Sequence, residues 1–385
     1  MYYARLQWFL LFPICLGSML FAQSTATGTV AGAERQSKAS VVASSTHLSD
    51  LVLPEGITSW GGNLYIGTYN VVNPNKSRVF VLTAEGELLN EIGGKRGEEL
   101  IGSGALLGLT IDKRTGDLFV GANFNSQIIR VQNPGSSHPS VSLYAQLPAG
   151  AGPEDLNFGP QGRLYSSDSN LGVIWSFPAG GGSHDLEIGP LGSGARHSDK
   201  GLFASPVTGL SPNGIVFSAD QRRLFVANTY TDSLIVFDVG TDGHISSDGK
   251  LFARFHNDDL EIYPSGFDAL VLPGTRLGFS ASTPVNGPDG LALDADGNIW
   301  VASIFGDNLT VIDSTDGHVI RTLGSSASAS NGLLNMPAGM TFIGDKVYNT
   351  NLGLFADGTH GNPLLPFTIV RQSAGVDGQG GNGNQ

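Results

Sequence analysis

The chain has 385 residues, of which 40% are hydrophobic and 14% are charged, and its formal net charge is -13 at pH 7. This acidic balance argues against nucleic acid as a partner, because such binding depends on Lys and Arg side chains that neutralise phosphates. With 54 Gly and 1 Cys, the chain is rich in turns and has no disulfide framework, so its stability has to come from a large core.

The first 22 residues have the pattern of a secretory signal peptide. Arg5 precedes an apolar stretch, Leu6–Phe21, and small residues follow it. The stretch is short for a membrane span and contains Pro13, which argues against a retained anchor. We therefore expect a secreted or periplasmic protein, with no stable membrane insertion after cleavage of residues 1–22.

Three further segments follow from composition. Residues 23–38 are rich in Ser, Thr, Ala and Gly, which predicts a flexible linker, and residues 372–385 are mostly Gly, Asn, Gln and Ser, which predicts a disordered tail. Between them, residues 39–371 consist of short alternating apolar stretches separated by Gly, Asn, Asp and Pro turns. This pattern predicts an all-β domain.

The domain is a repeat of paired strands. The first strand of each repeat starts, in chain order, at Pro54, Leu106, Pro153, Pro212, Pro288 and Pro337. A hairpin partner follows each time, often with a third strand such as Gln127–Gln132 and a fourth such as His318–Leu323. Repeats of roughly 40–50 residues built from strands and turns are typical of β-propellers. The sequence therefore predicts a six-bladed β-propeller of four-stranded blades.

Two features of the repeat pattern concern its ends and its spacing. The sixth repeat reaches its third strand at Phe367–Arg371, so we expect Ala39–Ser44 to supply the outer strand and close the ring. The fourth and fifth repeats are separated by an excess segment, residues 251–282. It is interpreted as a surface excursion, a lid over the channel or a degenerate seventh blade.

One position of the repeat could carry chemistry. The residue before the aligned Gly, a place that Asp155 fills in the third repeat, is in turn Glu55, Leu107, Glu154, Asn213, Asp289 and Ala338. Four of these carry oxygen ligands, and a propeller brings equivalent positions together around its axis. Such a set favours a hard divalent cation, calcium first, with zinc or magnesium as alternatives. No His or Cys cluster at metal-ligand spacing competes with it. Taken singly, Asn213-Gly214 and Asp289-Gly290 are also ordinary turn dipeptides.

The same motifs carry a family resemblance. They are, in chain order, Glu55-Gly56, Pro160-Gln161-Gly162-Arg163, Pro212-Asn213-Gly214 and Pro288-Asp289-Gly290. With them the chain resembles the six-bladed propellers that include gluconolactonase, senescence marker protein and luciferin-regenerating enzyme. The resemblance implies that Glu55, Asn213 and Asp289 hold one divalent metal ion. Glu154 stands where that family has Asn, which makes the pocket more acidic and offers a fourth ligand.

The resemblance also implies a reaction, hydrolysis of a small cyclic ester. The metal would polarise the lactone carbonyl, and either Asp289 or Glu154 would take a proton from the attacking water. Glu154 and Asp155 are the predicted substrate-binding residues. A Gly-x-Ser-x-Gly nucleophile motif does not occur in the chain.

Three readings of the function stay open from the sequence. The first is a metal-dependent lactonase, a carboxylic ester hydrolase that acts as a monomer on a small lactone or ester. The second is a noncatalytic secreted propeller of the NHL-repeat type that binds a protein or glycan partner, since residues 287–313 fit that repeat pattern. The third is a relative of arylesterase or strictosidine synthase. The three ligand residues on separate blades favour the first.

Overall fold

The computed structural model describes residues 39–70, 74–101, 104–203, 211–255, 287–304, 306–324, 333–353 and 367–378. The predicted signal peptide and linker lie outside the described residues, as does most of the 251–282 segment. Almost all regular structure is β-strand, and short 3-10 helices lie at Pro74–Lys76, Asn123–Asn125 and Pro160–Gly162. Across the described ranges, no helix has both the length and the apolar content to cross a membrane.

The strands form six sheets, in which neighbouring strands are antiparallel except for one short parallel pair. Five sheets consist of consecutive strands, and the sixth also includes the first strand of the described chain. Blade 1 contains β2 (Pro54–Trp60), β3 (Asn63–Thr68), β4 (Val79–Thr83) and β5 (Leu88–Ile92). Blade 2 contains β6 (Leu106–Asp112), β7 (Asp117–Ala122), β8 (Gln127–Gln132) and β9 (Ser140–Gln146). Blade 3 contains β10 (Pro153–Phe158), β11 (Leu164–Asp168), β12 (Val173–Phe177) and β13 (Asp185–Gly189), and a two-residue strand β14 (His197–Ser198) pairs in parallel with β13.

The second half of the chain repeats the arrangement. Blade 4 contains β15 (Ile215–Phe217), β16 (Arg223–Asn228), β17 (Ser233–Asp238) and β18 (Lys250–Arg254). Blade 5 contains β19 (Pro288–Leu293), β20 (Ile299–Ser303), β21 (Asn308–Ile312) and β22 (Val319–Leu323). Blade 6 contains β23 (Pro337–Ile343), β24 (Lys346–Asn351), β25 (Thr368–Ser373) and β1 (Ser40–Ser44). The predicted six-bladed β-propeller is therefore confirmed, with β15 starting three residues later than the expected Pro212.

The outer strand of blade 6 comes from the start of the described chain. Strand β1 pairs antiparallel with β25, with Ser40 opposite Arg371 and Ser44 opposite Thr368. Strand β25 runs to Ser373, two residues past the predicted domain boundary, and Gly378 forms a bridge with Asp294 of blade 5. Residues 379–385 of the predicted tail lie outside the described part.

The core lies between the blades. Six hydrophobic clusters each join one blade to the next, from blades 1 and 2 around to blades 6 and 1. In the last of them, Tyr348 of blade 6 packs with Ile66 and Phe80 of blade 1. Because alternate residues of a strand face opposite sides of the sheet, each blade contributes side chains to two clusters. Burial of each such large apolar side chain contributes roughly 1.5–3 kcal/mol.

At the centre, the inner strands approach each other backbone to backbone. Five blades have glycine at the aligned position: Gly56, Gly108, Gly214, Gly290 and Gly339. A Cβ atom on Gly56 would lie 1.6 Å from the carbonyl oxygen of Leu107, and one on Gly214 would lie 2.2 Å from that of Asp289. No side chain fits at such distances. The glycines therefore allow the narrow hub that brings the preceding residues of each blade close to one axis.

Candidate active site

The predicted constellation meets at the hub. Five of the six residues that precede the aligned position line one central channel of about 350 Å³: Glu55, Leu107, Glu154, Asn213 and Asp289. The sixth, Ala338, packs in an apolar cluster beside it. Each lies within two residues of the start of its inner strand, so all lie at the same end of the channel. We call this end the mouth.

The mouth holds several buried carboxyl groups close to one another. Glu55 is 8% exposed and Asp289 is 3% exposed. Burial raises the pKa of Glu55 well above its ordinary value, and the charges of Asp289, Glu154 and Asp155 raise it further. Burial and the Asp155 charge raise the pKa of Asp289 to about 7, partly countered by the Asn213 amide. Electrostatic repulsion among buried acids is the situation that a bound cation relieves.

Asn213 is oriented by a threonine that the sequence analysis missed. Its Nδ2 donates to Thr229 Oγ1 at 3.1 Å, and Thr229 Oγ1 donates to the Pro288 carbonyl oxygen at 2.7 Å. Because the amide nitrogen has this partner, the amide oxygen of Asn213 is the atom available as a ligand. Beside it, Asp289 Oδ1 is buried and has no hydrogen-bond partner among the described residues. A buried carboxylate oxygen without a donor, together with a second carboxylate and an amide oxygen, fits a hard cation.

Glu154 is held differently. Ser169 Oγ donates to Glu154 Oε2 at 2.5 Å, and Asn123 Nδ2 approaches the same oxygen at 3.4 Å. Burial raises the pKa of Glu154 well above its ordinary value, the Ser169 hydroxyl lowers it, and the charge of Asp289 raises it. A fixed carboxylate with a raised pKa is a stronger base than an ordinary glutamate, which suits it to accept a proton.

Asp155 occupies the place of the hub glycine in blade 3, and its carboxylate connects two blades. Oδ1 accepts the backbone N–H of Leu156 at 2.8 Å, and Oδ2 accepts that of Ile215 in blade 4, also at 2.8 Å. Burial raises the pKa of Asp155 to about 7 in spite of these two donors. Both oxygens thus have structural partners, and the predicted contact of Asp155 with substrate stays a prediction.

A second register of the repeat supplies further residues at the mouth. The residue that follows the second strand of each blade is, from blade 1 to blade 6, Tyr69, Asn123, Ser169, Thr229, Ile304 and Leu352. Burial raises the pKa of Tyr69 to about 12, and the charges of Glu154 and Glu55 add to the shift. The sequence contained a regular spacing that could have revealed these residues. Each stands 14 to 16 positions after the residue that precedes the aligned position in its own blade. Only the strand pairing reveals that the two positions meet.

Within the described ranges, two other groups of acids and histidine lie away from the mouth. Asp185, Glu187 and His244 form one, and Asp313, Asp316 and His318 form the other. The first also contains arginine, since Arg163 bonds Asp185. The second is an exposed hairpin in which Asp313 and Asp316 accept local backbone N–H groups. Sequence spacing alone did not reveal either group.

The fold and the hub define a six-bladed β-propeller with an acidic central mouth. The family model for the SMP-30/gluconolactonase/LRE-like region matches residues 80–331, and the chain belongs to this family. A comparison with curated proteins finds no significant match.

Solved structures share the fold. A luciferin-regenerating enzyme has a TM-score of 0.57 at 14% identity, with 88% of this chain and 98% of that chain covered. A putative gluconolactonase has a TM-score of 0.56 at 14% identity, with 90% and 95% covered. A calcium-binding protein, regucalcin from Agrobacterium tumefaciens, has a TM-score of 0.55 at 18% identity, with 86% and 92% covered.

Proposed function

We propose that this chain is a divalent-metal-dependent hydrolase of the lactonase type that opens a small cyclic ester, and that it holds calcium at the mouth. Family membership supports the lactonase class, and a structural neighbour is described as calcium-binding. The observation that carries the proposal is the set of buried, mutually repelling acids that includes Asp289. In the part of the chain that the structure describes, Asp289 Oδ1 has no hydrogen-bond partner.

Glu55, Asn213 and Asp289 are the proposed ligands. When bound there, the ion supplies Lewis acidity toward a carbonyl oxygen. The residues themselves do the positioning: Thr229 fixes the Asn213 amide, and burial keeps bulk water from competing for the carboxylates of Glu55 and Asp289.

Glu154 is the proposed general base, because Asp289 is committed as a ligand and Glu154 is fixed by Ser169. Its carboxylate takes a proton from water as the water oxygen bonds to the acyl carbon. The acyl carbon–ring oxygen bond then breaks, and the proton passes to the departing alkoxide, which gives an open-chain hydroxy acid. The raised pKa of Glu154 suits both proton transfers.

The first test is metal binding, measured as a calcium-dependent rise in Tm of the purified protein. At a free calcium concentration a hundredfold above Kd, the free energy of unfolding should rise by about 2.7 kcal/mol. Asp289→Asn should abolish the rise. Asp296→Asn removes an acid from an exposed position of the same blade, and it should leave the rise intact.

The second test is hydrolysis of γ- and δ-lactones with calcium or with chelator. Glu154→Gln should lower kcat at least about a hundredfold while the calcium-dependent rise in Tm persists. Metal binding without hydrolysis of any lactone would overturn the hydrolase and favour the noncatalytic propeller that binds a protein or glycan. Hydrolysis that survives chelation would overturn the role of the metal.

Export from the cytoplasm is proposed as well, on the pattern of residues 1–22. Expression of the full chain in a bacterial host with a periplasm, followed by N-terminal sequencing, tests it. Cleavage close to Ala22 or Ala26 is expected. A product that retains Met1 and stays in the cytoplasm would overturn the localisation.

A further inference from the structure

The mouth has two unlike walls. At the position after the second strand, blades 2, 3 and 4 carry the polar residues Asn123, Ser169 and Thr229. Blades 5, 6 and 1 carry Ile304, Leu352 and Tyr69 at the same position. Because the blades form a ring, the three polar residues are consecutive, and so are the three apolar or aromatic ones. The acids of the mouth thus have hydrogen-bonding groups on one side and a hydrophobic surface on the other.

The apolar wall lies on the two blades that carry Glu55 and Asp289 and on the blade between them. Ile304 and Leu352 belong to one buried cluster with Met336 and Ala338, and Tyr69 packs against it. Ala338 precedes the aligned glycine of blade 6, and blade 6 lies between blade 5 and blade 1 in the ring. These two blades carry Asp289 and Glu55. A ligand group that leaves the metal site toward blade 6 therefore meets hydrocarbon.

An aromatic pair extends this wall to the surface. The rings of Tyr69 and Phe124 lie 5.7 Å apart at an angle of 49°, a spacing typical of favourable aromatic pairs. Tyr69 is close enough to Glu55 and Glu154 for their charges to raise its pKa. Phe124 follows Asn123, which approaches Glu154, yet the Phe124 side chain is 48% exposed. An exposed ring beside a buried acidic site is a surface for an apolar part of a ligand.

The charge of the mouth restricts the ligand further. Among the described residues that line the channel, Lys113 is the single basic one. It follows the far end of β6, about 20 Å along the strand from Leu107. Four carboxyl groups, those of Glu55, Glu154, Asp155 and Asp289, stand against the two positive charges of the one proposed calcium ion. A carboxylate or phosphate on the ligand would therefore still meet repulsion at the mouth.

From these features we propose that the substrate is an uncharged cyclic ester that carries an apolar or aromatic substituent. The ester lies at Glu55 and Asp289, and the substituent lies against Tyr69 and Phe124. This inference rests on the proposed lactonase function, and it names the class of lactone that the mouth selects. Anionic lactones are excluded by the acids, and small unsubstituted lactones bind weakly because they leave the aromatic pair uncovered.

Lactams test the selection without requiring turnover, because they are amide analogues of lactones with the same ring. Three five-membered rings form a matched set: 2-pyrrolidinone, 5-phenyl-2-pyrrolidinone and pyroglutamate, which has a carboxylate at the position of the phenyl group. Binding to the calcium-loaded protein is measured by titration calorimetry. The phenyl compound should bind about tenfold more tightly than 2-pyrrolidinone, and pyroglutamate should bind more weakly than both.

Phe124→Ala should bind the phenyl compound about tenfold more weakly than the wild-type protein does. The affinity for 2-pyrrolidinone should be unchanged. Leu143→Ala is the matched control, since Leu143 has the same 48% exposure but lies on the outer strand of blade 2. Equal binding of the three lactams, binding of none of them, or a preference for pyroglutamate would overturn the inference. Selective binding without hydrolysis of lactones would overturn the proposed function alone, and hydrolysis without selectivity would overturn this inference alone.

Discussion

Two groups of acids in this propeller, each of which contains at least one buried carboxyl group, differ in their partners. The hub acids are Glu55, Glu154, Asp155 and Asp289. The Glu187 cluster, on the outer part of blades 3 and 4, contains Asp185, Glu187 and His244 together with Arg163 and Arg196. Glu187 is 0% exposed, yet its Oε1 accepts from Ser176 at 2.6 Å and lies 2.6 Å from His244 Nδ1, and its Oε2 accepts the backbone N–H of Ile245.

This difference in partners distinguishes a structural cluster, around Glu187, from a candidate binding site, at the hub. In the Glu187 cluster each buried acid has basic or hydrogen-bonding partners, so the cluster stabilises the contact between blades 3 and 4. At the hub, burial and mutual repulsion raise the pKa of Glu55, and no described residue donates a hydrogen bond to Asp289 Oδ1. Buried acids that repel one another lower the stability of the fold. Such a loss of stability is typical of ligand-binding and catalytic sites. Four predictions test this distinction.

The largest expected effect is that of removing Glu187. Glu187→Ala leaves Ser176, His244 and the Ile245 N–H without their acceptor, and it should lower the free energy of unfolding by about 3–5 kcal/mol in urea titrations. Glu55→Gln, measured with chelator, should leave stability unchanged or raise it, because one repelling carboxylate is lost. The exposed Glu87→Ala is the surface control, with an effect within about 0.5 kcal/mol. Equal destabilisation by Glu187→Ala and Glu55→Gln would remove the distinction.

The next effect concerns pH. Burial raises the pKa of both Asp155 and Asp289 from 3.8 to about 7. At a pH between about 4 and about 7, these two carboxyl groups are largely protonated in the folded protein and ionised in the unfolded chain. The free energy of unfolding therefore falls as the pH rises through this range. With chelator, urea titrations at about pH 5 and pH 8 should differ on the order of 3 kcal/mol.

Two further measurements sharpen the pH prediction. The double variant Asp155→Asn, Asp289→Asn should lose most of the difference, because its hub side chains no longer titrate. In the wild-type protein, saturating calcium should reduce the difference in the free energy of unfolding between the two pH values, because a bound cation favours the charged carboxylates. A chelated protein whose stability stays constant across this range would contradict the assignment of the raised pKa values to the hub.

A smaller effect is expected from Thr229, which orients Asn213 without lying among the proposed ligands. Thr229→Val keeps the shape but removes the hydroxyl that accepts from Asn213 Nδ2. Calcium affinity measured by calorimetry should fall roughly 10–100-fold. Thr310→Val is the control, because Thr310 is also buried and hydrogen-bonded but lies on the third strand of blade 5. Unchanged affinity in Thr229→Val would show that Asn213 needs no such support or is not a ligand.

The smallest expected effect is at Asp155. Asp155→Ala keeps the Cβ atom but removes the acceptors for the Leu156 and Ile215 N–H groups, and it should cost about 1–2 kcal/mol of stability. Binding of 2-pyrrolidinone should be nearly unchanged, because both oxygens of Asp155 serve the backbone. The opposite result, unchanged stability with lost binding, would instead support the predicted contact between Asp155 and substrate.

Much of the fold was predictable from the sequence because a propeller repeats its local pattern. The strands Gln127–Gln132 and Ser233–Asp238 have the predicted bounds, since alternating apolar residues and hairpin turns act over a few residues. The late start of β15 at Ile215 was not predictable, because the strand boundary there depends on pairing with Val226 rather than on the residues of β15 alone.

The candidate site, like the fold, was predictable from the sequence only in part. The repeat register predicted that Glu55, Asn213 and Asp289 share one end of the channel, because strand starts are local features and a ring makes equivalent positions neighbours. Their unlike surroundings were not predictable. The bond from Thr229 to Pro288 spans 59 positions, and the contact between His244 and Glu187 spans 57.

The sequence by itself determined the number of blades, the hub glycines and the acidic register, because each depends on residues within one short repeat. The tertiary structure decided which acids have partners and which wall of the mouth is apolar, because these depend on contacts between different blades. Asp155 illustrates the point: its sequence position suggested a site residue, while the approach of the Ile215 N–H from blade 4 gave it a structural partner.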